Sequence, residues 1–272
     1  MKLFVYELKG RKAPRGLPET GLAGIWPEPP YYYLFYEQDD AGPVLEWLAS
    51  NPGWQLTSRY ELPYELWQDS SSSRIFAGRF IILNSAVDRP ASDIAGRLPI
   101  LIDPGIVFGS GVHPTTRGCL TALSELFESE RIRTAVDFGT GTGILAVACA
   151  LLGARYVLAV DCKLPAVANA RRNADDNGVA DRIGLIVSDR LDVVRPVADL
   201  LLMNLEWPIL EGLLRTDAWK SYRRVVLSGF LESRLEPLIE IVRPWFEPVR
   251  TAILDGWPTV TLARNAGEES RP

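Results

Sequence analysis

Between residues 134 and 263 two kinds of apolar run alternate along the chain. Short runs of five or six mostly apolar residues read as buried strands: 134–138, 156–160, 183–188, 198–203 and 223–227. Between them lie segments with helical apolar spacing, 144–153, 165–177, 208–214 and 231–242. This alternation predicts a mostly parallel sheet covered by helices on both faces. Two last strands, 246–254 and 257–263, sit close together and read as a hairpin. A helix is expected over 115–127, and two further strands over 79–83 and 98–102.

Ahead of this stretch the pattern changes. Residues 3–8, the aromatic run 31–36 and residues 55–60 read as strands, and 43–50 as a helix presenting Val44, Leu45, Trp47 and Leu48. The segment 10–30 is rich in glycine and proline and is expected to be irregular. The organisation expected is a small α+β domain over 1–60, a linker with a lead-in strand over 61–97, an α/β domain over 98–264 and a polar tail over 265–272. Four consecutive serines, Ser70 to Ser73, mark the linker.

The chemistry concentrates at the carboxyl ends of the expected parallel strands. The first runs into Asp137-Phe138-Gly139-Thr140-Gly141-Thr142-Gly143, and a helix follows at once. A glycine turn there lets a ligand approach bare backbone at the positive end of a helix. A dinucleotide loop needs G-x-G-x-x-G, but its third glycine position is Ile144. The pattern D-x-G-x-G-x-G instead resembles motif I of the class I methyltransferases, whose cofactor is S-adenosylmethionine. The next three strands end at Asp161, at Ser188-Asp189 and at Asn204. Asp161 stands where a carboxylate accepts from ribose hydroxyls. Asp189 or Ser188 is placed for an adenine amino group. Asp137 would order the glycine loop, and Asn204 would offer its amide at the mouth where a methyl group leaves. Any one of these residues alone would read as a cap or turn residue; together on one edge they read as a pocket.

Composition narrows the class. Hydrophobic residues make up 47% of the 272 and charged residues 23%, as in a soluble globular protein, and no apolar run reaches membrane-spanning length. The amino terminus lacks the pattern of a secretory signal, so a cytoplasmic location is expected. A net charge of −5 argues against a large basic face, so neither direct reading of nucleic acid nor membrane binding is expected. Cys119, Cys149 and Cys162 have no metal-site spacing, and His113 is the single histidine; no metal is expected. His113 reads as a structural, hydrogen-bonded residue or, alternatively, as a proton-transfer group. The glycine-rich segment 103–114 reads as a lid over a ligand.

Two longer stretches add a more specific resemblance. Asp103-Pro104-Gly105-Ile106-Val107-Phe108-Gly109-Ser110-Gly111-Val112-His113-Pro114-Thr115-Thr116 and the segment 137–146 resemble the ribosomal protein L11 methyltransferase family. So do 173–179, Asn204-Leu205 and 227–231. The resemblance covers roughly residues 98–263. It implies a class I methyltransferase fold, a Rossmann-like seven-stranded mostly parallel sheet, preceded by a small amino-terminal substrate-recognition domain. It also implies S-adenosylmethionine as cofactor and methylation of protein amino groups, of lysine or of an amino terminus, in a ribosomal protein. The cofactor contacts it implies fall on Thr116, Gly139, Asp161 and Asn204. Asp137, Gly141 and Asp189 complete the expected cofactor set, with Asn204 the expected catalytic residue.

The chain departs from the family after two strands. Asp161-Cys162-Lys163-Leu164 replaces D-I-D-P, and Asn204-Leu205-Glu206-Trp207 replaces N-I-L-A. Glu206 reads as a solvated first-turn residue, stabilised by the helix dipole, or as a group steering the amine. A recognition domain of the family's βαββαβ kind would place a full helix within 10–30. Two alternatives follow: methylation of a different protein lysine or small amine, and a non-catalytic cofactor-binding homologue.

Overall fold

The computed structural model describes residues 2–28, 30–63, 74–85, 96–103, 109–193 and 198–265. The chain forms two compact units, residues 1–73 and 74–272. The serine run, the segment 104–108 and the tail beyond residue 265 lie outside the described residues.

The first unit is a four-stranded antiparallel sheet with one helix. Its strands are β1 (Lys2–Lys9), β2 (Leu22–Glu28), β3 (Tyr31–Tyr36) and β4 (Gln55–Pro63), in the order β2-β3-β1-β4. Helix α1 (Gly42–Ser50) carries a proline in its first turn, where no N–H is needed. Tyr6, Leu8, Leu34, Tyr36, Val44 and Trp47 form the core, with Tyr6 and Tyr36 edge to face at 5.5 Å. Residues 22–28, expected to be irregular, form β2. Pro27 masks this strand in the sequence, yet β2 is an edge strand, where a missing N–H is tolerated. No helix lies among the described residues between β1 and β3. Two indirect anchors hold that connection: the Trp47 indole N–H donates to the Arg15 carbonyl and the Tyr36 hydroxyl to the Pro18 carbonyl, each at 2.9 Å.

The second unit opens with a small sheet of β5 (Ile75–Ala77), β6 (Phe80–Asn84) and β7 (Leu98–Ile102). Helix α2 (Pro114–Ser129) follows. Then come β8 (Thr134–Phe138), α3 (Ile144–Leu151), β9 (Tyr156–Asp161), α4 (Leu164–Asp176), β10 (Ile183–Val187) and β11 (Leu200–Asn204). Helix α5 (Trp207–Leu214), β12 (Arg224–Ser228), α6 (Leu235–Val242), β13 (Phe246–Leu254) and β14 (Trp257–Arg264) complete it.

The large sheet has the order β10-β9-β8-β11-β12-β14-β13, and β14 runs antiparallel to both its neighbours. The chain reverses direction in the strand order after β10, when β11 pairs on the far side of β8. That switch opens a crevice above the ends of β8 and β11.

Strand alternation divides the core between the faces. Ala135, Leu200, Leu202 and Val226 face one apolar layer, with α2 and α3. Val136, Leu201, Met203, Val225 and Leu227 face the other, with α5, α6 and the buried Trp219 and Tyr222. Helix α3 is buried on every side from Ile144 to Ala150, and its three alanines let it seat closely. Gly143 makes the seating possible: a Cβ there would lie 2.9 Å from Ala170 Cβ and 3.1 Å from its Cα on α4.

Candidate functional site

Above the switch point the chain turns sharply after β8. Gly139, Gly141 and Gly143 adopt φ of +79°, +55° and +82°, conformations that cost an L side chain about 1–2 kcal/mol each. The Gly139 and Thr140 N–H groups donate to the Val160 carbonyl at 2.8 and 2.9 Å, which fastens the turn to β9.

Two aspartates support this loop from different sides. Asp137 is 1% exposed within β8, and its Oδ2 accepts from the Thr140 hydroxyl at 2.6 Å and the Ala146 N–H at 3.2 Å. It thus orders the loop from beneath. Asp161 ends β9 at the crevice, accepting the Gly141 N–H at 3.0 Å through Oδ2 and the Lys163 N–H at 3.0 Å through Oδ1. Each Asp161 oxygen keeps a further lone pair for a ligand.

Burial pushes the Asp137 carboxyl up to about 6, against the Thr140 hydroxyl and the Ala146 N–H, which favour its ionised form; the nearby Asp161 charge raises it further. A carboxylate with an unfolded value of about 3.9 and a raised folded value opposes folding when ionised. Its neutral form is fully accommodated below about pH 4, and stability is lost as pH rises through about 6. The expected loss is about 3 kcal/mol, one pKa unit being worth about 1.4 kcal/mol. Urea titrations at stepped pH check this. The stability difference between the wild type and Asp137→Asn should shift by that amount between about pH 4 and 7, against the wild type; a flat difference refutes it.

Three asparagines one helical turn apart, Asn169 and Asn173 on α4 and Asn177 at its carboxyl cap, fasten the segment preceding α2 to the glycine loop. The Asn177 amide exchanges two hydrogen bonds with the Leu101 backbone, at 2.8 and 2.6 Å. Asn173, fully buried, accepts the Asp103 N–H at 2.8 Å and donates to the Asp103 and Thr142 carbonyls at 3.1 and 2.8 Å. Asn169 donates to the Asp103 carbonyl at 3.1 Å. The Thr142 hydroxyl donates to the Gly109 carbonyl at 2.8 Å. The segment read as a lid is therefore anchored at both described ends, and its middle, 104–108, lies outside the described residues. Sequence reasoning singled out 173–179 only by resemblance; the i, i+4, i+8 spacing of Asn169, Asn173 and Asn177 was a signal available to it.

His113 takes the structural role. As the N-cap of α2 it accepts the Thr115 N–H through Nδ1 at 3.3 Å, the Thr115 hydroxyl lies 2.8 Å from the same atom, and the ring packs edge-on against Trp257 at 4.8 Å. Burial, and then the Arg117 charge, lower its pKa, which favours the neutral ring that such acceptance requires.

Among the described residues, two of the expected site residues carry a buried polar atom with no hydrogen-bond partner: the Thr116 hydroxyl, on the first turn of α2, and Asn204 Oδ1, at the end of β11. Such atoms are costly unless a ligand satisfies them. Asp189 is exposed just beyond β10, and Ser188 bonds within its own turn, to the Arg190 N–H at 3.1 Å. Glu206 is the N-cap of α5, but its exposed side chain forms no cap bond. Trp207 packs against Phe230 at 6.1 Å, and the Arg234 guanidinium lies 5.7 Å from its ring centre.

One contact was invisible in the sequence. Leu205 is wedged between two glycines: a Cβ on Gly139 would lie 2.3 Å from Leu205 Cδ2, and one on Gly229 2.3 Å from the Leu205 carbonyl oxygen. This wedge holds the backbone beside Asn204 against both neighbouring strand ends, with the Leu205 N–H donating to the Ser228 carbonyl at 3.1 Å.

A family model described as ribosomal protein L11 methyltransferase matches residues 64–265. The ribosomal protein L11 methyltransferase of Shewanella denitrificans is 31% identical over 269 residues, covering 94% of this chain and 88% of its own. That of Aeromonas hydrophila is 34% identical over 252 residues, covering 88% and 82%. The crystal structure of a ribosomal protein L11 methylase from Lactobacillus delbrueckii subsp. bulgaricus superposes with a TM-score of 0.61 at 27% identity, over 68% of this chain and 95% of that one. A tRNA m1G37 methyltransferase from M. jannaschii shares the fold alone, with a TM-score of 0.50 at 15% identity over 96% of this chain and 99% of that one. The sheet order and these matches together make the fold that of a class I methyltransferase, and the chain belongs to the ribosomal protein L11 methyltransferase family.

Proposed function

We propose that the chain is an S-adenosylmethionine-dependent N-methyltransferase acting on amino groups of a ribosomal protein. The observation that carries the reading is the buried Asn204 Oδ1 at the switch point, without a partner among the described residues, beside a glycine loop built for backbone contact. The residues present fit the cofactor. Thr116 and Asn204 offer polar atoms that need a partner, Gly139 and Gly141 offer bare backbone, and Asp161 offers lone pairs toward a ribose diol. Asp189 lies on the rim for the adenine side, and Asp137 acts through the loop it supports. Bound, the cofactor would supply a methyl group already activated by a sulfonium.

The work left to the protein is to align an amine and keep it neutral. The Asn204 carboxamide oxygen would accept one N–H of the incoming amine and point its lone pair at the methyl donor. Desolvation at the crevice favours the unprotonated amine, so no strong base is needed. In this reading Asn204 is the catalytic residue, and Thr116, Gly139, Gly141 and Asp161 contact the cofactor.

Radiolabelled methyl transfer onto unmodified ribosomal proteins tests the reading; label should appear in one ribosomal protein. No incorporation under conditions where the cofactor binds would reject that target. The amino-terminal unit gives a second reading its basis. The family model begins at residue 64, and the unit lacks a described helix between β1 and β3. Label in a non-ribosomal protein of a whole lysate would then identify a different lysine as target.

Asp161 has two duties in this arrangement. Asp161→Ala is expected to raise the cofactor dissociation constant by about 10- to 150-fold, the worth of a charge-assisted hydrogen bond of about 1.5–3 kcal/mol. It also strands the Gly141 and Lys163 N–H groups, so Asp161→Asn, which keeps one acceptor, should retain more of the fold's stability. Calorimetric titration with the cofactor and thermal unfolding of both variants check the two effects; unchanged affinity in Asp161→Ala would remove the ribose contact.

A further inference from the structure

The edge of the large sheet opposite the crevice carries a row of arginines. Arg133 precedes β8, Arg155 precedes β9, Arg223 precedes β12 and Arg264 ends the antiparallel β14. The strand order makes these connections neighbours. The Arg155 N–H donates to the Arg133 carbonyl at 2.7 Å, the Arg264 N–H to the Arg223 carbonyl at 3.2 Å, and the Arg223 guanidinium to the Arg131 carbonyl at 3.1 Å. From β9 to β14 the row crosses four strand spacings, about 19 Å.

The acids within the row are already engaged. Glu130 pairs with Arg224 at 2.6 Å and Arg223 at 3.4 Å. Asp199 accepts the Arg133 and Thr134 N–H groups at 2.8 and 3.1 Å and lies 3.8 Å from Arg223. Arg131, Arg133 and Arg155 are exposed, and among the described residues their guanidinium groups have no carboxylate partner. In a protein of net charge −5, this edge presents unneutralised positive charge while the remainder is correspondingly more acidic.

Tyr156, 49% exposed, follows Arg155 as the first residue of β9, and its ring reaches over Gly184 of β10, where a Cβ would lie 2.1 Å from the hydroxyl. The exposed part of this aromatic ring, at the end of the arginine row, offers a stacking platform for a base. It offers no apolar mass to insert into a lipid surface. The planar fork of arginine matches phosphate, and a linear row suits a linear polyanion.

We propose that this edge binds single-stranded nucleic acid. Arg131, Arg133 and Arg155 neutralise successive phosphates, and Tyr156 stacks on a base. The site is separate from the methyl-transfer crevice and does not depend on the function assigned there.

Fluorescence anisotropy with a labelled oligouridylate of about 15 nucleotides and the full chain tests it. Wild-type binding should weaken with salt. The triple variant Arg131→Gln, Arg133→Gln, Arg155→Gln should bind at least about tenfold less tightly at low salt. Its slope of log affinity against log salt should be shallower by about 2, three single-strand phosphates at about 0.7 each. Tyr156→Ala should weaken binding with the slope unchanged. Thermal unfolding and cofactor binding of the triple variant should match wild type, since these guanidinium groups hold no carboxylate. Three outcomes would each overturn the proposal: no binding by the wild type, wild-type affinity in the triple variant, or equal displacement of the probe by polyglutamate at matched charge. The last would point to an acidic protein partner instead.

Discussion

Asn204→Ala is expected to reduce turnover by about 10²- to 10³-fold while changing cofactor affinity by less than about tenfold. The magnitude is that of losing one preorganised polar group at a reacting centre, about 2.7–4 kcal/mol. The asymmetry follows from the position of Asn204. Its Oδ1 is buried at the end of β11 without a partner among the described residues, whereas the glycine loop follows the adjacent β8 and Asp161 ends β9 one strand further, and these would hold most of the cofactor. Asn204→Asp sharpens the test. It keeps an acceptor but adds a charge that would pair with the protonated amine, so the pH at which methyl transfer begins should rise. Single-turnover methyl transfer and calorimetry on the same preparations separate the two quantities. Equal losses in turnover and cofactor affinity would make Asn204 a cofactor ligand alone.

Gly229→Ala is expected to cost about 3 kcal/mol or more of folding stability, a large share of the roughly 5–15 kcal/mol that holds a domain together. Two penalties combine. The residue has φ of +94°, outside the region an alanine adopts readily. Its Cβ would lie 2.3 Å from the Leu205 carbonyl oxygen and 2.6 Å from the Leu205 carbonyl carbon and nitrogen, so backbone rather than a pliable side chain must move. Gly178→Ala separates the terms, because Gly178 also has a positive φ, +64°, but has nothing within 4 Å of its would-be Cβ. It should cost only about 1–2 kcal/mol. Because Leu205 adjoins Asn204, any folded Gly229→Ala protein should also lose methyl transfer. Chemical denaturation of both variants decides it; equal costs would mean that the Leu205 contact contributes nothing.

The parallel sheet, its helices and the strand-end polar set were legible because each depends on local pattern. Buried strands such as Leu200–Asn204 must be continuously apolar, and a strand ending in Asp-x-Gly-x-Gly-x-Gly has few ways to continue. Strand β2 was not legible. Pro27 and the glycines around it read as a loop, and only pairing with the aromatic β3 makes a strand there. The hairpin β5–β6 was half visible, since Ile75–Ala77 is too short to carry a period.

The site divides in the same way. Asp137 was expected to order the glycine loop, and its contacts to Thr140 and Ala146 do so from within the sheet. The support that Asn173 gives to Asp103 and Thr142 joins residues 70 and 31 positions apart, so no local window contains it. Net charge carries no spatial information: a value of −5 averages over the surface, and strand order sets Arg131, Arg133 and Arg155 on one edge.

By itself the sequence determined what each segment becomes and which strand ends carry polar groups, because hydrophobic period and glycine spacing act within a few residues. Only the tertiary structure decided which of those ends meet, that Leu205 is gripped between Gly139 and Gly229, and that arginines from separate connections form one row. Those facts depend on strand order and close approach of backbone, which are set by packing between segments far apart in the chain.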